Sequence, residues 1–332
     1  MASQDVYMAL EILVGLACCL GNLLVVWAVW RNRSLRKPTF CFVVSLAAAD
    51  FLVGAVAIPL AILVKRKVTS FYGCLFCTCV MLVLTQSSVL SLLAIATYRY
   101  LCVHIPLRYK RVISQQRSWA AVAVCWLLAC VLGFTPLLGW HKPMTEMQYG
   151  YTFMDVMDMS YLIYFRFLGC ILAPLVVMAL LYARVFWTIR KRLQESAASG
   201  SEHGTYYLKE RNLALSLGLV LALYAVCWLP LHIMNCISYF GGEDLPFDAG
   251  VLLSYVNSAA NPLVYAFRIR KFQKAYLEIW RRYFLSRGKE GPQGEQSGDN
   301  LGSACPTSTN QSNRMVRGTM CTPRVTGHQL GF

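Results

Sequence analysis

Apolar residues fall in seven long runs separated by short connections that are mostly polar and often basic. The runs cover about Tyr7–Trp30, Phe40–Val64, Cys74–Val103, Ser118–Leu138, Tyr161–Ile189, Leu208–Phe240 and Phe247–Phe267. A run of about 20 apolar residues crosses a bilayer as a helix, because every backbone group is then satisfied inside its own segment. The pattern predicts an all-α membrane protein built as a seven-transmembrane helix bundle. The fifth and sixth runs exceed what a bilayer needs and are expected to project into the cytoplasm. Between Lys271 and Phe284, Tyr276, Leu277, Ile279, Trp280, Tyr283 and Phe284 alternate with Lys274, Arg281 and Arg282. That mixture suits an interfacial eighth helix lying on the membrane.

The chain divides accordingly into a short extracellular N-terminus (1–6), the transmembrane domain (7–267), an amphipathic helix 8 (268–284) and a cytoplasmic tail (285–332). Gly291 to Phe332 is rich in Gly, Ser, Thr, Asn and Gln and is expected to be disordered. Met1 to Tyr7 has no basic segment and the first run has no obvious small-residue cleavage site, so the first run is read as a retained helix.

Orientation follows from the basic residues. Arg31, Arg33, Arg36 and Lys37 flank the first run, Arg108, Lys110, Arg111 and Arg117 follow the third, and Arg190, Lys191, Arg192, Lys209 and Arg211 join the fifth to the sixth. Positive connections stay cytoplasmic, which puts the N-terminus outside. Lys65, Arg66 and Lys67 break the rule, one cluster against these three and the basic tail. The expected location is the plasma membrane, with multiple passes.

Composition narrows the class. The chain is 57% hydrophobic and 14% charged, where a soluble domain carries closer to a quarter charged residues. The net charge of +15 sits beside apolar runs and in the tail. This distribution suits membrane lipids and a cytoplasmic partner, not nucleic acid. Of fourteen cysteines, Cys18, Cys19, Cys41, Cys125, Cys130, Cys170 and Cys227 lie inside runs, where free cysteine acts as a small hydrophobe. No metal-ligand spacing stands in a polar loop, and no HExxH, GxSxG or phosphate-binding glycine loop is present. No internal repeat points to a transporter.

Ionisable groups within spans are costly and usually functional. Four stand out: Glu11, Asp50, Arg166 and His232. Each can also be a packing contact or a side chain that snorkels. Asp50 has oxygen-bearing candidates in other spans, namely Asn22, Ser88, Asn257, Ser258 and Asn261. Such a set can hold a monovalent cation with water, an allosteric Na+ near Asp50 and no other cofactor. Pro174, Pro230 and Pro262 interrupt three spans, where proline frees a carbonyl and kinks a helix.

Seven marks in order carry a resemblance: Gly21-Asn22, Ser45-Leu46-Ala47-Ala48-Ala49-Asp50, Arg99-Tyr100, Trp126, Pro174 with Tyr182, Cys227-Trp228-Leu229-Pro230 and Asn261-Pro262-Leu263-Val264-Tyr265. They resemble the rhodopsin-type G-protein-coupled receptors over residues 7–284. Leu84-Thr85-Gln86-Ser87-Ser88, Pro106-Leu107-Arg108-Tyr109-Lys110, Pro230 to Cys236 and Ala266-Phe267-Arg268 narrow the likeness to adenosine receptors.

The resemblance implies a purine site gripped by Asn235, with Phe153 stacking on the ring. Leu231, Trp228 and Val251 would form the apolar floor and wall, and Thr85, His232 and Ser254 would reach the ribose. Glu11 and Tyr255 would face one another beside it. Arg99, Glu210, Tyr182, Asn261, Pro262 and Tyr265 would form the activation switch. Asp50, Ser88, Asn257 and Ser258 would form the sodium site. The implied partners are adenosine or a related purine and a heterotrimeric G protein.

Four positions depart from the family pattern. Tyr98 replaces the acid before Arg99, leaving Glu210 to pair with that arginine. Tyr151 stands where the cysteine partner of Cys74 belongs, so a less tethered outer loop is expected. Tyr255 replaces a histidine. Arg166 replaces an asparagine and must turn to Glu11, loop acids or interfacial water, or else meet an anionic ligand. A receptor that has lost adenosine or recognises another, anionic ligand is the alternative.

Overall fold

The structure is a computed structural model and describes residues 2–32, 35, 38–105, 114–145, 149–199, 204–242 and 246–281. The tail after 281, the end of the expected eighth helix at Tyr283 and Phe284, and the segment Pro106 to Lys110 lie outside the described residues.

Seven long helices follow one another: α1 (Ala2–Arg31), α2 (Pro38–Lys65), α3 (Phe71–His104), α4 (Gln115–Gly133), α5 (Tyr161–Leu172 continued by Ala173–Ser199), α6 (Gly204–Gly241) and α7 (Asp248–Arg268). A shorter helix, α8 (Arg270–Trp280), buries Phe272, Ala275 and Ile279 while leaving Leu277 and Trp280 exposed. Local chemistry sets several starts. Ser70 caps α3 by accepting from the Gly73 amide at 3.3 Å, and Ser114 caps α4 by accepting from the Arg117 amide at 3.2 Å.

The first six helices are long and apolar enough to cross a membrane. The seventh is diluted by Ser254, Asn257, Ser258 and Asn261, all buried. Outward faces are the reverse: Leu13, Leu16 and Leu20 on α1, and Val124, Leu127 and Val131 on α4, are exposed. Apolar ridges of this length on the outside of a bundle call for hydrocarbon around them.

The ring closes through α1 on α2 and α7, α3 on α2, α4 and α5, and α6 on α5 and α7. α3 runs through the middle. Ser45 ties three helices: its hydroxyl is 2.9 Å from that of Ser91 on α3 and accepts from the Trp126 indole of α4 at 3.0 Å.

Two helices widen into π turns just before a proline. In α2 the segment Val53–Ala57 precedes Pro59, and in α5 the segment Tyr161–Leu172 precedes Pro174. Proline cannot donate and crowds the carbonyl four residues back, and a wider turn relieves both problems. Both widened segments border the cavity described next.

Candidate functional site

A cavity of about 360 Å³ lies between the helices at the end covered by the connection from α4 to α5. All eleven residues expected around a ligand line it. Glu11 comes from α1, Thr85 from α3, Arg166 from α5, Trp228, Leu231, His232 and Asn235 from α6, and Val251, Ser254 and Tyr255 from α7. Phe153 enters from the connection.

The walls are mainly apolar, and the polar groups fall into two sets. Thr85 and Ser254 donate to carbonyls of their own helices, those of Met81 at 2.9 Å and Val251 at 2.6 Å, which leaves their oxygens able to accept. Asn235 brings a side-chain amide to the wall, and the Trp228 Nε1 and the two ring nitrogens of His232 are buried with no hydrogen-bond partner among the described residues. His232 stacks on Phe167 with centroids 4.9 Å apart and 10° between planes. Buried donors without partners are uncommon in a native fold. Several converging on one apolar cavity fit a ligand with complementary groups.

Arg166 is 3% exposed and corrects one expectation. It turns neither to Glu11 nor to a loop acid: its Nη1 donates to Gln86 Oε1 at 2.6 Å. Gln86 in turn donates to the Cys170 carbonyl at 3.3 Å, which aims its own oxygen at the guanidinium. Glu11 stands on α1, where Tyr7 hydrogen-bonds it and Lys65 supplies a positive charge, with Asp248 nearby. Those three were not singled out by sequence. The Lys65 ammonium lies 3.6 Å from the centre of the Tyr7 ring and 2.6 Å from Asp248 Oδ1, closing the rim between α1, α2 and α7. The only hint in the sequence was the basic cluster at an unexpected end.

The α4–α5 connection is better held than the missing disulfide suggested. Cys74 is a free, buried thiol. Tyr151 packs edge-on against Phe71 at 5.4 Å, donates its hydroxyl to the Thr145 carbonyl at 2.6 Å, and donates its amide to Thr69 at 3.3 Å. Phe153 opens a one-turn helix, Phe153–Val156. Asp155 Oδ2 anchors that turn by accepting from the Thr152 amide at 2.8 Å and hydroxyl at 2.6 Å. Partial burial pushes the Asp155 carboxyl up, but the Thr152 bonds and the positive Lys67 and Lys142 outweigh it and hold it below the usual carboxylate range.

Deeper in the bundle the cavity reaches Ser88, Asn257 and Ser258. Asp50, fully buried, accepts from Ser88 at 3.3 Å, Ser258 at 2.8 Å and the Asn261 amide at 2.7 Å. Asn261, expected both near Asp50 and in the activation switch, bonds Asp50 directly, while Asn257 brings a buried oxygen without a bond to Asp50. Asn22 donates to the Ser258 carbonyl at 3.0 Å, tying α1 into the cluster. The side-chain carbonyl oxygens of Asn22, Asn257 and Asn261 are buried without partners. Orphaned oxygens around a carboxylate are what a hard monovalent cation needs, so the residues fit sodium.

At the opposite end of the bundle Arg99 is 2% exposed. Its Nη2 lies 2.7 Å from Glu210 Oε2 and donates to the Glu210 carbonyl at 3.1 Å. Tyr98 lies against Phe42, ring centres 6.0 Å apart. Tyr182 and Tyr265 are both buried, and the Tyr265 hydroxyl has no hydrogen-bond partner among the described residues. Pro262 packs where α7 meets Gly21.

Comparison with known proteins agrees with this arrangement. The profile of the 7 transmembrane receptor (rhodopsin family) matches residues 21–265. The chain is 46% identical over 293 residues to the adenosine receptor A3 of Canis lupus familiaris, covering 86% of this chain and 93% of that protein. It is 47% identical over 281 residues to the adenosine receptor A3 of Ovis aries, covering 82% and 89%.

Proposed function

The chain belongs to the adenosine receptors of the rhodopsin-type seven-transmembrane family, and from that membership we propose that it binds an extracellular adenine nucleoside in the cavity and activates a heterotrimeric G protein at the other end. It is a multi-pass membrane receptor and not an enzyme.

The observation that carries the ligand assignment is the Asn235 amide on the wall of a mainly apolar cavity that Phe153 also lines. Adenine presents an acceptor and a donor side by side on one edge, and an amide answers both. Phe153 covers the ring face, while Leu231 and Val251 give it apolar walls and Trp228 a floor. The ribose then falls toward Thr85, His232 and Ser254, whose oxygens and ring nitrogens suit hydroxyl groups. Glu11 and Tyr255 complete that side.

Activation links the two ends. Asp50 joins α2, α3 and α7 just below the ligand cavity. Asp50 with Ser88, Ser258 and the orphaned asparagine oxygens would hold a sodium ion there, whose positive charge would favour the resting packing. A ligand that pulls α6 and α7 inward, with α6 hinged at Pro230, separates Arg99 from Glu210 and lets Tyr182 and Tyr265 rearrange. The ligand shifts a pre-existing equilibrium by its difference in affinity for the two states. The basic connections support a reading in which the Arg99 end faces the cytoplasm of a plasma-membrane protein, against anionic lipid headgroups.

Adenosine-stimulated nucleotide exchange on a purified heterotrimeric G protein, with the receptor in lipid nanodiscs, tests the coupling. Saturable stimulation abolished in Arg99→Ala is expected. No stimulation with any G-protein class, despite correct folding, contradicts it.

A further inference from the structure

Arg166 is a full cation buried in an apolar cavity, and among the described residues its hydrogen-bond partner is a neutral amide, the Gln86 side chain. The polar side chains near it include Tyr161, Cys170, Tyr224 and His232, none of them a carboxylate. The acids among the described residues that form ion pairs are committed elsewhere, Asp248 to Lys65, Glu210 to Arg99 and Glu195 to Lys191. A guanidinium offers five donors in a planar fork, and one amide oxygen cannot satisfy them. Burying such a group without a counter-ion is among the costlier choices a membrane bundle can make.

His232 strengthens the point. It stands beside Arg166 on the same wall, and neither of its ring nitrogens has a partner. A neutral imidazole carries one N–H, which adds a further donor on this wall. Cation and donor together face the cavity one helical turn deeper than Asn235.

We propose that this cavity selects an adenine nucleoside bearing an anionic group on its ribose, a carboxylate or a phosphate, with the Arg166 guanidinium as counter-ion and His232 as second donor. The proposal rests on the reading above that Asn235 takes the base edge, because that placement sends the ribose toward His232 and Arg166. A planar fork meets either oxyanion with two parallel bonds, which is why arginine serves where such groups are recognised. The neutral nucleoside would leave the guanidinium without a charge partner.

The test is competition against a neutral radiolabelled purine on purified receptor in nanodiscs, free of phosphatases. The competitors are adenosine, adenosine 5′-monophosphate, adenosine 5′-carboxylic acid and the matching neutral 5′-carboxamide. At least one anion is expected to bind about tenfold or more tightly than the carboxamide. That ratio should fall to about one in Arg166→Gln and be partly kept in Arg166→Lys. Which anion is preferred tells phosphate from carboxylate. If Arg166→Gln fails to fold, the native ratio and the lysine variant still decide. A carboxamide that binds as tightly as both anions, or an anion preference untouched in Arg166→Gln, overturns the proposal. Saturable adenosine binding without any anion preference overturns it while leaving the adenosine reading intact. Absence of binding by all four brings down both.

Discussion

Arg99 and Glu210 are joined by charge more than by aligned hydrogen bonds. The guanidinium Nη2 is 2.7 Å from the carboxylate yet directs its N–H at the Glu210 main-chain carbonyl, 3.1 Å away. Neither Arg99 Nε nor Glu210 Oε2 has a hydrogen-bond partner. With Tyr98 packed on Phe42 in place of an acid, this contact is the ion pair that holds α3 to α6. A partly exposed pair is worth about 1 kcal/mol, or about fivefold in a two-state population. Basal G-protein activation should therefore rise several-fold in Glu210→Ala and fall in Tyr98→Asp at equal surface expression. Indistinguishable basal signalling from the native chain and Tyr98→Asp contradicts this account of the lock.

Asp50 collects three donors from two helices and lies beside three unpartnered asparagine oxygens. Replacing it by asparagine keeps the size and removes the charge a cation requires. Agonist affinity of the native receptor should weaken as sodium replaces a large organic cation at constant ionic strength. In Asp50→Asn the two salts should give equal affinity. A sodium effect that survives the substitution rules this site out.

The Asp155 anchor makes a pH prediction. Its carboxyl titrates below the ordinary value of about 4 because the Thr152 bonds and nearby lysines outweigh partial burial. A depressed carboxyl stabilises the fold fully above its ordinary value, and that contribution is lost only as pH falls through the lower folded value. Ligand dissociation should therefore be insensitive to Asp155 titration between pH 7 and pH 5. Asp155→Asn should speed dissociation at pH 7 by severalfold, in line with about 1 kcal/mol for a helix-cap contact. A rise between pH 7 and 5 that Asp155→Asn abolishes would show that the carboxyl is not held down as described.

Gly133 marks the closest approach of α4 to α3. A Cβ there would lie 2.5 Å from Val83 Cγ2 and 2.7 Å from the Val83 amide nitrogen. Backbone cannot move aside as a side-chain tip can, and membrane helices rely on such small residues for close packing. Gly133→Ala should cost about 1–3 kcal/mol and lower the melting temperature of the detergent-solubilised receptor, with the ligand site unchanged. An unaltered melting temperature contradicts the tight α3–α4 contact.

Much of the fold was legible because hydrocarbon imposes a simple rule on spans, and the apolar runs report it directly. What hydropathy could not show is geometry finer than a turn. The widened segments before Pro59 and Pro174 keep the apolar character of ordinary helix, so only the proline hinted at them. The residues of the ligand cavity were nameable because each sits at a fixed offset from a motif, as Asn235 does from Pro230. Contacts between distant segments were not. Lys65 meets Asp248 across 183 positions, and Arg166 chose Gln86 over the acids of the outer loop. The Tyr151 packing that stands in for a covalent link was equally hidden, since nothing in a lone tyrosine says which ring it will meet.

Saturation binding of radiolabelled adenosine to expressing membranes, native against Asn235→Ala, bears most directly on the central assignment. An amide on an apolar wall that loses both bonds to the base forfeits about 1–3 kcal/mol, so the variant should bind at least about fivefold more weakly at normal surface expression. Equal affinity in the two, or saturable binding in neither, would contradict it.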